Sequence, residues 1–359
     1  MKAVLLTEIP APFRIPLWNA LAERPGVELR VLFLSERDPR RSYDLHRGEW
    51  RFDSRVLSGR GALFGTRWLM LNRVQAELRT LRPEALLVGG WNQPAFVQAV
   101  RHARRSGIPY GVWVESTARD ERSRNPLLDR LKRWMLASAG GVIVPGTAAR
   151  DYVLDLGVEP ARIHVAPNAF DLAAFTQAVE RERGAERDPG FRLLTVARLS
   201  REKDVRTLLH AVAGLAMELV VVGDGPEERA LRAAAPANVR FVGRVPRDEL
   251  PRWYAAADAF ALASRSETWG MALSQAAAAG LPLVATEAVG AAWDLVEPGV
   301  NGFRVPVGDE RALREALEAV ASDASWRMRA GRRSRELAEQ ATPERWAEAV
   351  ERFLFGLVA

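Results

Sequence analysis

SRSETWGMALSQAAAAGLPLVATE, residues 264–287, is the stretch that decides the fold of this chain. An apolar strand pattern ends near Glu267, a helix begins after Gly270, and a Gly-Leu-Pro sequence ends that helix before a second apolar run. Gln275 follows Glu267 by eight positions, which on a helix separates the two by about 12 Å. Because the amides of a first helical turn lack internal acceptors, the segment predicts an anion site flanked by two polar side chains.

Composition narrows the class of protein. A length of 359 residues favours two domains, each able to bury a core. The absence of cysteine excludes disulfides, thiolate metal sites and cysteine nucleophiles. The N-terminal apolar stretch is too short for a secretory signal, and no apolar run reaches the ~18 residues of a membrane span. We therefore expect a cytoplasmic protein.

The positive charge lies in the first half of the chain. Residues 1–180 hold 26 Lys and Arg against 19 Asp and Glu, whereas residues 181–359 hold 25 against 26. Such a half suits an anionic partner, namely phospholipid, a lipid phosphate or nucleic acid, or it is an ordinary solvated surface rich in arginine. Two apolar stretches beside arginines, 62–71 and 126–139, are candidates for lipid contact. The alternative is that the apolar stripe of 126–139 (Leu127, Leu131, Trp134 and Met135) packs on a sheet.

Short apolar runs alternate with helical patterns along the whole chain. The runs are 3–8, 29–34, 85–90, 110–115, 141–146 and 163–168, then 192–197, 218–223, 239–243, 259–264 and 282–286. This alternation is typical of parallel sheets covered by helices on both faces, so we predict an α/β fold of two facing doubly wound Rossmann-like domains. We place them at residues 1–176 and 190–341, with a linker over 177–190. The last segment, about 342–359, predicts a helix whose apolar stripe must dock on a domain.

Two cations follow the first strand of the second domain in the sequence ARLSREK. Arg198 and Lys203 can converge on one diphosphate, where arginine supplies a planar fork and lysine a point charge. Such a pair is by itself usually surface charge. Its place after a strand favours a site, because open α/β sheets bind ligands beyond the carboxyl ends of their strands.

Other turns and missing motifs limit the chemistry. Gly223 lies in a tight strand-to-helix turn, and Glu228 stands where a dinucleotide fingerprint needs its third glycine, which disfavours NAD. Arg244 and Val245 follow another strand and either present groups to a base or merely end that strand. Because the sequence has no Asp-x-Asp pair and its four histidines are scattered, we predict no metal and no cofactor. Cations and helix amides would then neutralise a diphosphate.

Six motifs within residues 191–308 occur in the order and spacing of a known family: ARLSREK, VVVGDGPE, VRFVGRV, YAAADAFALAS, SETWGMALSQAAAAGLPLVAT and EPGVNGFRV. Through them the chain resembles glycosyltransferase family 4, retaining enzymes with the GT-B fold and its deep inter-domain cleft. LLTEIPAPFRIPLWNAL and RIHVAPNAFD carry a weaker likeness in the first half. The resemblance implies a metal-independent hexosyltransferase that moves a sugar from a nucleoside-diphosphate sugar to a lipid-linked or polysaccharide acceptor in cell-envelope or exopolysaccharide synthesis. A small or storage-glycan acceptor, or a catalytically silent nucleotide-sugar-binding protein, are the alternatives.

The resemblance also implies residue roles. Arg198 and Lys203 bind the diphosphate, Glu267 places the donor sugar, and Gln275, which replaces the family's second glutamate, holds the ribose. Glu115 takes the place of a histidine beside the donor sugar and completes the predicted catalytic set. The other predicted donor-binding positions are Gly223, Arg244, Val245, Thr268, Trp269, Gly270, Met271 and Ala272. On the acceptor side we expect Pro12 and Arg14.

The expected partners are therefore a nucleotide-sugar donor and a glycan or lipid-linked acceptor, without nucleic acid. Peripheral contact of the basic N-terminal domain with an anionic membrane, on its inner face, is a further expectation. The final helix is expected to cross back to the N-terminal domain, as in the GT-B fold.

Overall fold

Two parallel sheets organise the chain in the computed structural model, which describes residues 1–38, 45–64, 67–119, 126–184 and 190–359. The first half contains β1 (Lys2–Thr7), β2 (Glu28–Phe33), β3 (Asp53–Val56), β4 (Gly59–Phe64), β5 (Arg67–Asn72), β6 (Ala85–Val88), β7 (Tyr110–Trp113), β8 (Gly141–Val144) and β9 (Ile163–Val165). Its helices are α1 (Ile15–Ala22), α2 (Val74–Leu81), α3 (Pro94–Ser106), α4 (Pro126–Ala137), α5 (Thr147–Asp155) and α6 (Leu172–Glu182).

The second half repeats this arrangement. Its strands are β10 (Phe191–Val196), β11 (Met217–Val222), β12 (Val239–Gly243), β13 (Ala259–Leu262), β14 (Leu283–Thr286) and β15 (Gly302–Val305). Its helices are α7 (Val205–Val212), α8 (Glu228–Ala234), α9 (Leu250–Ala255), α10 (Met271–Ala278), α11 (Ala292–Leu295), α12 (Glu310–Ser322), α13 (Ala324–Ala338) and α14 (Pro343–Val358).

The strand orders place a switch point in each sheet. The first sheet runs β3-β2-β1-β6-β7-β8-β9 and the second β12-β11-β10-β13-β14-β15, with parallel pairing throughout both. The order reverses beside β1 and β6 in the first sheet and beside β10 and β13 in the second. Ligands of doubly wound sheets bind at the carboxyl ends of such strands. The loops after these four strands therefore lie where a ligand would bind.

Each sheet is buried on both faces, as its continuous apolar strands predict. In β1, alternate residues enter different cores: Val4 and Leu6 pack with α2–α5, whereas Leu5 packs with α1 and α14. In β10, Leu194 and Leu193 divide in the same way between the two cores of the second sheet. The prediction of two doubly wound α/β domains is confirmed.

The last helix belongs to the first core. Thr342 caps the amino end of α14 by accepting from the Arg345 amide at 3.3 Å. The helix buries Trp346 against Trp113, with ring centroids 5.2 Å apart, and lays Phe353 over Gly111. A chain that leaves the second sheet thus ends on the first, where the apolar stripe of α14 is covered.

The segment 177–190 differs from the expected linker. Its first six residues continue α6, which Asp171 caps through the Ala174 amide at 3.0 Å. The apolar positions of this helix are Leu172, Phe175 and Val179, which pack on the second domain's core. Because that period begins upstream of residue 177, the charged window alone did not reveal the helix. Residues 185–189 lie outside the described part of the chain.

The two apolar stretches considered for lipid contact lie in different elements of the first domain. Residues 62–71 fall on the antiparallel hairpin of β4 and β5, whose turn at 65–66 is not among the described residues. In α4, Met135 is buried and Leu131 and Trp134 are half-buried against the first core. Leu131, Trp134 and Met135 therefore pack on the sheet, as the alternative interpretation held, whereas Leu127 stays 80% exposed. Within the described ranges, no helix combines the length and apolar character that crossing a bilayer requires.

Candidate functional site

Lys203 and Glu267 meet at the switch point of the second sheet. Lys203 ends a short 3-10 turn after β10, and Glu267 follows β13, the strand that pairs with β10. Their side chains form an ion pair, each with 18% of its surface exposed. Partial burial makes this pair less screened by solvent than a surface pair. Sixty-four residues of sequence separate the two charges, and the parallel strand pairing brings them together.

Main-chain hydrogen bonds hold the loop that carries Glu267. The Glu267 carbonyl accepts from the Gly290 amide at 3.0 Å, and its own amide donates to the Ala288 carbonyl at 3.3 Å. Gly270 then turns the chain with φ of 104°, a left-handed conformation that favours glycine. After this turn, main-chain pairing begins at Leu273, whose amide donates to the Gly270 carbonyl at 2.9 Å. Leu273 is the first residue of the turn, among those described, with such a bond.

The amides of Gly270, Met271 and Ala272 are consequently the unpaired donors at the start of α10. They lie directly after Glu267 in the chain, so the predicted anion site has its donors next to an ion-paired lysine. The positive end of the helix dipole adds to the same field.

Arg198 lies on the same loop as Lys203 but is exposed. Between the two cations, Glu202 was not anticipated from the sequence. Burial acts to raise the pKa of this carboxyl, but its own backbone amide and the charges of Lys203 and Arg198 hold that pKa below its usual range. Glu202 also accepts at its carbonyl from the Arg265 amide at 2.8 Å. It therefore fastens the lysine-bearing turn to the loop that leads to Glu267.

Gln275 is oriented by a tyrosine that the sequence did not reveal. Tyr254 of α9 is fully buried and donates its hydroxyl to the Gln275 Oε1 at 3.1 Å. Burial raises the Tyr254 pKa, so this hydroxyl stays protonated and serves as a donor. An amide oxygen has a second lone pair, so Gln275 Oε1 can still accept from a ligand while its NH₂ group donates to one.

The remaining donor-side predictions have four different outcomes. Thr268 lines a cleft beside the first sheet, and Met271 and Val245 are half-buried against the second domain's core. Arg244 is exposed after β12. Gly223 is needed for packing, because a Cβ there would lie 1.9 Å from the Ala197 carbonyl oxygen.

Trp269 does not present its ring to the cleft. Its indole is buried, donates to the Ser274 hydroxyl at 3.0 Å and packs beside Gly146 of the first domain. A direct contact of this side chain with a donor, as the sequence suggested, would require it to leave the core. The physical reason is its apolar area, which the domain boundary buries.

A cleft of about 530 Å³ lies at the switch point of the first sheet. Its walls come from the loops after β1, β6 and β7, from β5 and α4, and from Thr268 of the second domain. Arg14 and Glu115, both predicted from the sequence, line it. Pro12 does not line it and instead begins the 3-10 turn Pro12–Arg14, whose last residue is the lining arginine.

Glu115 is held by two partners inside this cleft. Arg14 Nη2 lies 2.5 Å from Glu115 Oε2, and the guanidinium stacks 4.7 Å from the Trp113 ring. On the other carboxylate oxygen, Asn168 donates its amide at 2.8 Å. Asn168 is buried and was quoted in the sequence only as part of RIHVAPNAFD. Glu115 is therefore a fixed hydrogen-bond acceptor with a matched cation.

Two sets of side-chain contacts hold the second domain against the first. Asp294 of α11 accepts from the Thr147 amide at 3.1 Å and from the Thr147 hydroxyl at 2.7 Å, at the amino end of α5. Nearby, Arg119 forms an ion pair with Glu287 at 2.9 Å and stacks 5.0 Å from Trp293. Both contacts join the first domain to the 287–294 segment, which also bonds to Glu267.

The contact between Asp294 and Thr147 predicts that the free energy of unfolding depends on pH. Burial raises the Asp294 pKa, against the Thr147 hydrogen bonds that lower it. A carboxyl whose folded pKa is raised stabilises the fold at low pH and loses that contribution as pH rises through the folded value. Asp294→Asn keeps an acceptor oxygen and removes the charge. We expect its urea midpoint, relative to that of the unsubstituted protein, to rise as pH increases above about 4, the ordinary pKa of an aspartate. A difference in urea midpoint between the two proteins that does not change with pH would contradict this prediction.

In the described ranges, no group of three or more His, Asp and Glu side chains is placed to hold an ion, and the chain has no cysteine. Arg198, Lys203 and the amides of α10 are groups of this site that can meet an anion.

Comparison with known families agrees with this geometry. The family described as "Glycosyl transferases group 1" matches residues 190–323, and "Glycosyl transferase 4-like domain" matches residues 16–169. One match covers the second sheet with Lys203 and Glu267, and the other covers most of the first sheet with Glu115.

Among curated relatives, a GDP-mannose-dependent alpha-mannosyltransferase of Mycobacterium tuberculosis is 32% identical over 200 residues, 55% of this chain and 52% of the relative. The alpha-monoglucosyldiacylglycerol synthase of Streptococcus pneumoniae is 31% identical over 194 residues, 49% of this chain and 44% of the relative. The chain thus spans about half the length of these relatives.

The fold also matches solved structures. Anabaena HepE, crystallised with UDP, superposes with a TM-score of 0.79 at 19% identity, covering 99% of this chain and 100% of that one. This likeness concerns the fold alone, and with the two facing parallel sheets it confirms the GT-B prediction. The chain belongs to glycosyltransferase family 4.

Proposed function

We propose that this chain is a retaining glycosyltransferase that moves a hexosyl group from a nucleoside-diphosphate sugar to a lipid-linked or polysaccharide acceptor, without a metal ion. The observation that carries the proposal is the Lys203–Glu267 ion pair at the switch point, directly before the free amides of α10. A cation for phosphate and a carboxylate for sugar hydroxyls stand side by side there, as the two parts of such a donor require.

In the proposed reaction, Lys203, Arg198 and the α10 amides stabilise the negative charge that develops on the departing diphosphate. Glu267 accepts hydrogen bonds from the sugar and keeps its anomeric carbon beside that diphosphate. Gln275, oriented by Tyr254, donates its NH₂ group to one ribose oxygen and accepts at Oε1 from the other ribose hydroxyl. A glutamate would accept from both ribose hydroxyls, so this contact is weaker than the one it replaces.

Retention is supported by family membership. Glu115 is bound by Arg14 and Asn168, and Glu8 accepts a hydrogen bond from Asn92. These partners orient both carboxylates as hydrogen-bond acceptors for substrate, and a retaining reaction needs neither of them as a base on the opposite face of the sugar. The acceptor hydroxyl then approaches on the side of the leaving diphosphate and passes its proton to it.

Metal independence is supported by the composition of the donor loops. They contain no Asp-x-Asp pair and hold two cations, Arg198 and Lys203, that would repel a divalent ion. The acceptor class is supported by the name of one relative, a glucosyldiacylglycerol synthase, and by the aromatic walls of the cleft, which suit sugar rings.

A donor screen tests the proposal. Thermal shift with UDP, GDP and ADP sugars in EDTA is expected to show stabilisation by one nucleotide class. Transfer from that donor is then followed by NMR of the product's anomeric proton, which we expect to keep the donor's configuration. An inverted product would refute retention, and loss of transfer in EDTA would refute metal independence. Nucleotide binding without transfer or hydrolysis across the panel would favour the silent binding protein.

A further inference from the structure

Trp269 belongs both to the loop 267–270, which carries Glu267, and to the boundary between the two domains. Its side chain is 5% exposed. The indole Nε1 donates to the Ser274 hydroxyl of α10 at 3.0 Å, and the Trp269 carbonyl accepts from the Ala291 amide at 2.8 Å. Because side chain and main chain are both engaged, the ring cannot shift without moving the loop that joins Glu267 to α10.

Gly146 of the first domain fits closely against this ring. A Cβ at Gly146 would lie 2.8 Å from Trp269 Cζ3 and 2.3 Å from Asp294 Oδ2, closer than a real Cβ approaches such atoms. The φ of Gly146 is 175°, which is extended backbone that any residue adopts. The position therefore requires glycine for its missing side chain, and the reason is the contact with the second domain.

Thr147, the next residue, extends the contact. Its amide and its hydroxyl both donate to Asp294, at 3.1 and 2.7 Å. Asp294 lies four residues after Gly290, whose amide donates to the Glu267 carbonyl at 3.0 Å. The first domain therefore meets the loop 267–270 twice, directly at the Trp269 ring and indirectly through the chain that carries Asp294.

Rigid elements hold both sides of this contact. Gly146 is buried, follows the fully buried strand β8, and precedes Thr147, the first residue of α5. On the other side, Trp269 packs in the second domain's core. Because packed interiors have low compressibility, a displacement on one side of the contact is transmitted to the other.

We propose that Gly146 and Thr147 of the first domain are positioning residues of the donor site in the second domain. By fixing the place of Trp269, they set the spacing between the Glu267 carboxylate and the α10 amides, which the sugar and the phosphate of one donor must both reach. The inference rests on the proposed function for the identity of the ligand. Its own content is that nucleotide binding by the second domain depends on this contact with the first.

Calorimetric titration of the full chain with UDP, GDP and ADP in EDTA tests the contact. G146A forces the Trp269 ring or the Asp294 carboxylate to move, so we expect the affinity for the preferred nucleotide to fall about tenfold or more, as for typical couplings between distinct sites. The matched control is G48A in the same domain. Among the described residues, nothing lies within 4 Å of a Cβ added at Gly48, and its φ is not left-handed, so G48A should bind as the unsubstituted chain does.

Thr147→Val is a milder second variant. It removes the hydroxyl that donates to Asp294 and keeps the amide bond, so we expect nucleotide affinity to fall about threefold. Its control is T80V, which removes a hydroxyl that donates to the Ala76 carbonyl within α2 and should leave affinity unchanged. Because G146A and T147V disturb one contact, the double variant is expected to lose far less than the product of the two losses.

Melting temperatures from circular dichroism separate a positioning effect from a folding defect. Variants that melt earlier but bind nucleotide as tightly as the unsubstituted chain, at a temperature where both are folded, would overturn the inference and leave the proposed function intact. Fully multiplicative losses in the double variant would also overturn it. If G146A does not fold, the affinity of T147V against T80V decides. Absence of nucleotide binding by the unsubstituted chain would overturn both the inference and the proposed function.

Discussion

Lys203→Ala is expected to lower the rate of sugar transfer by about 10²–10³-fold while the protein stays folded. The lysine is the partly buried cation beside the α10 amides, and removing one group that stabilises developing charge costs about this much in kcat. The measurement is the turnover number for nucleoside diphosphate release with the donor found by the screen. Lys2→Ala, at an exposed lysine on the far edge of β1, is the control and should keep full activity.

The ion pair between Lys203 and Glu267 makes the effects of substituting the two residues depend on each other. Lys203→Ala leaves Glu267 without its cation, so part of the loss comes from the carboxylate. We expect Glu267→Gln to cause a loss of similar size, and the double variant to lose far less than the product of the two, because residues that act as a unit are non-additive. Unchanged turnover in Lys203→Ala would remove the assignment of this site. Fully multiplicative losses would mean that the two residues act separately.

Gly290→Ala is the second substitution for which we expect a large effect, of about 10²-fold or more in transfer rate. A Cβ at this position would lie 2.1 Å from the Thr268 carbonyl oxygen, so the chain around Thr268 has to move. That movement would also break the hydrogen bond from the Gly290 amide to Glu267. Since Glu267 and the α10 amides share this loop, their spacing would no longer fit one donor.

The matched control for this glycine is Gly356→Ala. Gly356 lies in α14 with nothing within 4 Å of the added methyl group, and alanine is the better helix former. We expect it to keep activity and a circular-dichroism melting temperature at or above that of the unsubstituted chain. If Gly290→Ala folds and transfers sugar at the unsubstituted rate, the loop does not set the geometry of the donor site.

Residues whose contacts follow from strand order were predictable. Arg198 and Lys203 follow one apolar strand and Glu267 another, and parallel pairing alone brings such strand ends together. The apolar stripe of α14 required a partner, although its sequence did not say that Trp113 would provide it. The same argument located Glu115 and Arg14 after separate strands of the first sheet.

Contacts that depend on packing between distant elements were not predictable. Tyr254 reaches Gln275 only because Phe175 and Phe260 hold its ring in the core. Trp269 had the sequence position of a ligand-binding residue, and its large apolar area placed it against the first domain instead. Asp294 and Thr147 lie 147 residues apart, and no local pattern links them.

Calorimetric titration with nucleoside diphosphates in EDTA tests the central claim most directly, namely that Arg198, Lys203 and the α10 amides hold the donor's diphosphate. We predict that the unsubstituted chain binds one of UDP, GDP or ADP without a metal. The Arg198→Ala/Lys203→Ala variant should bind it about a hundredfold or more weakly, since each charged hydrogen bond contributes about 1.5–3 kcal/mol. Equal affinity in the two proteins would contradict the account.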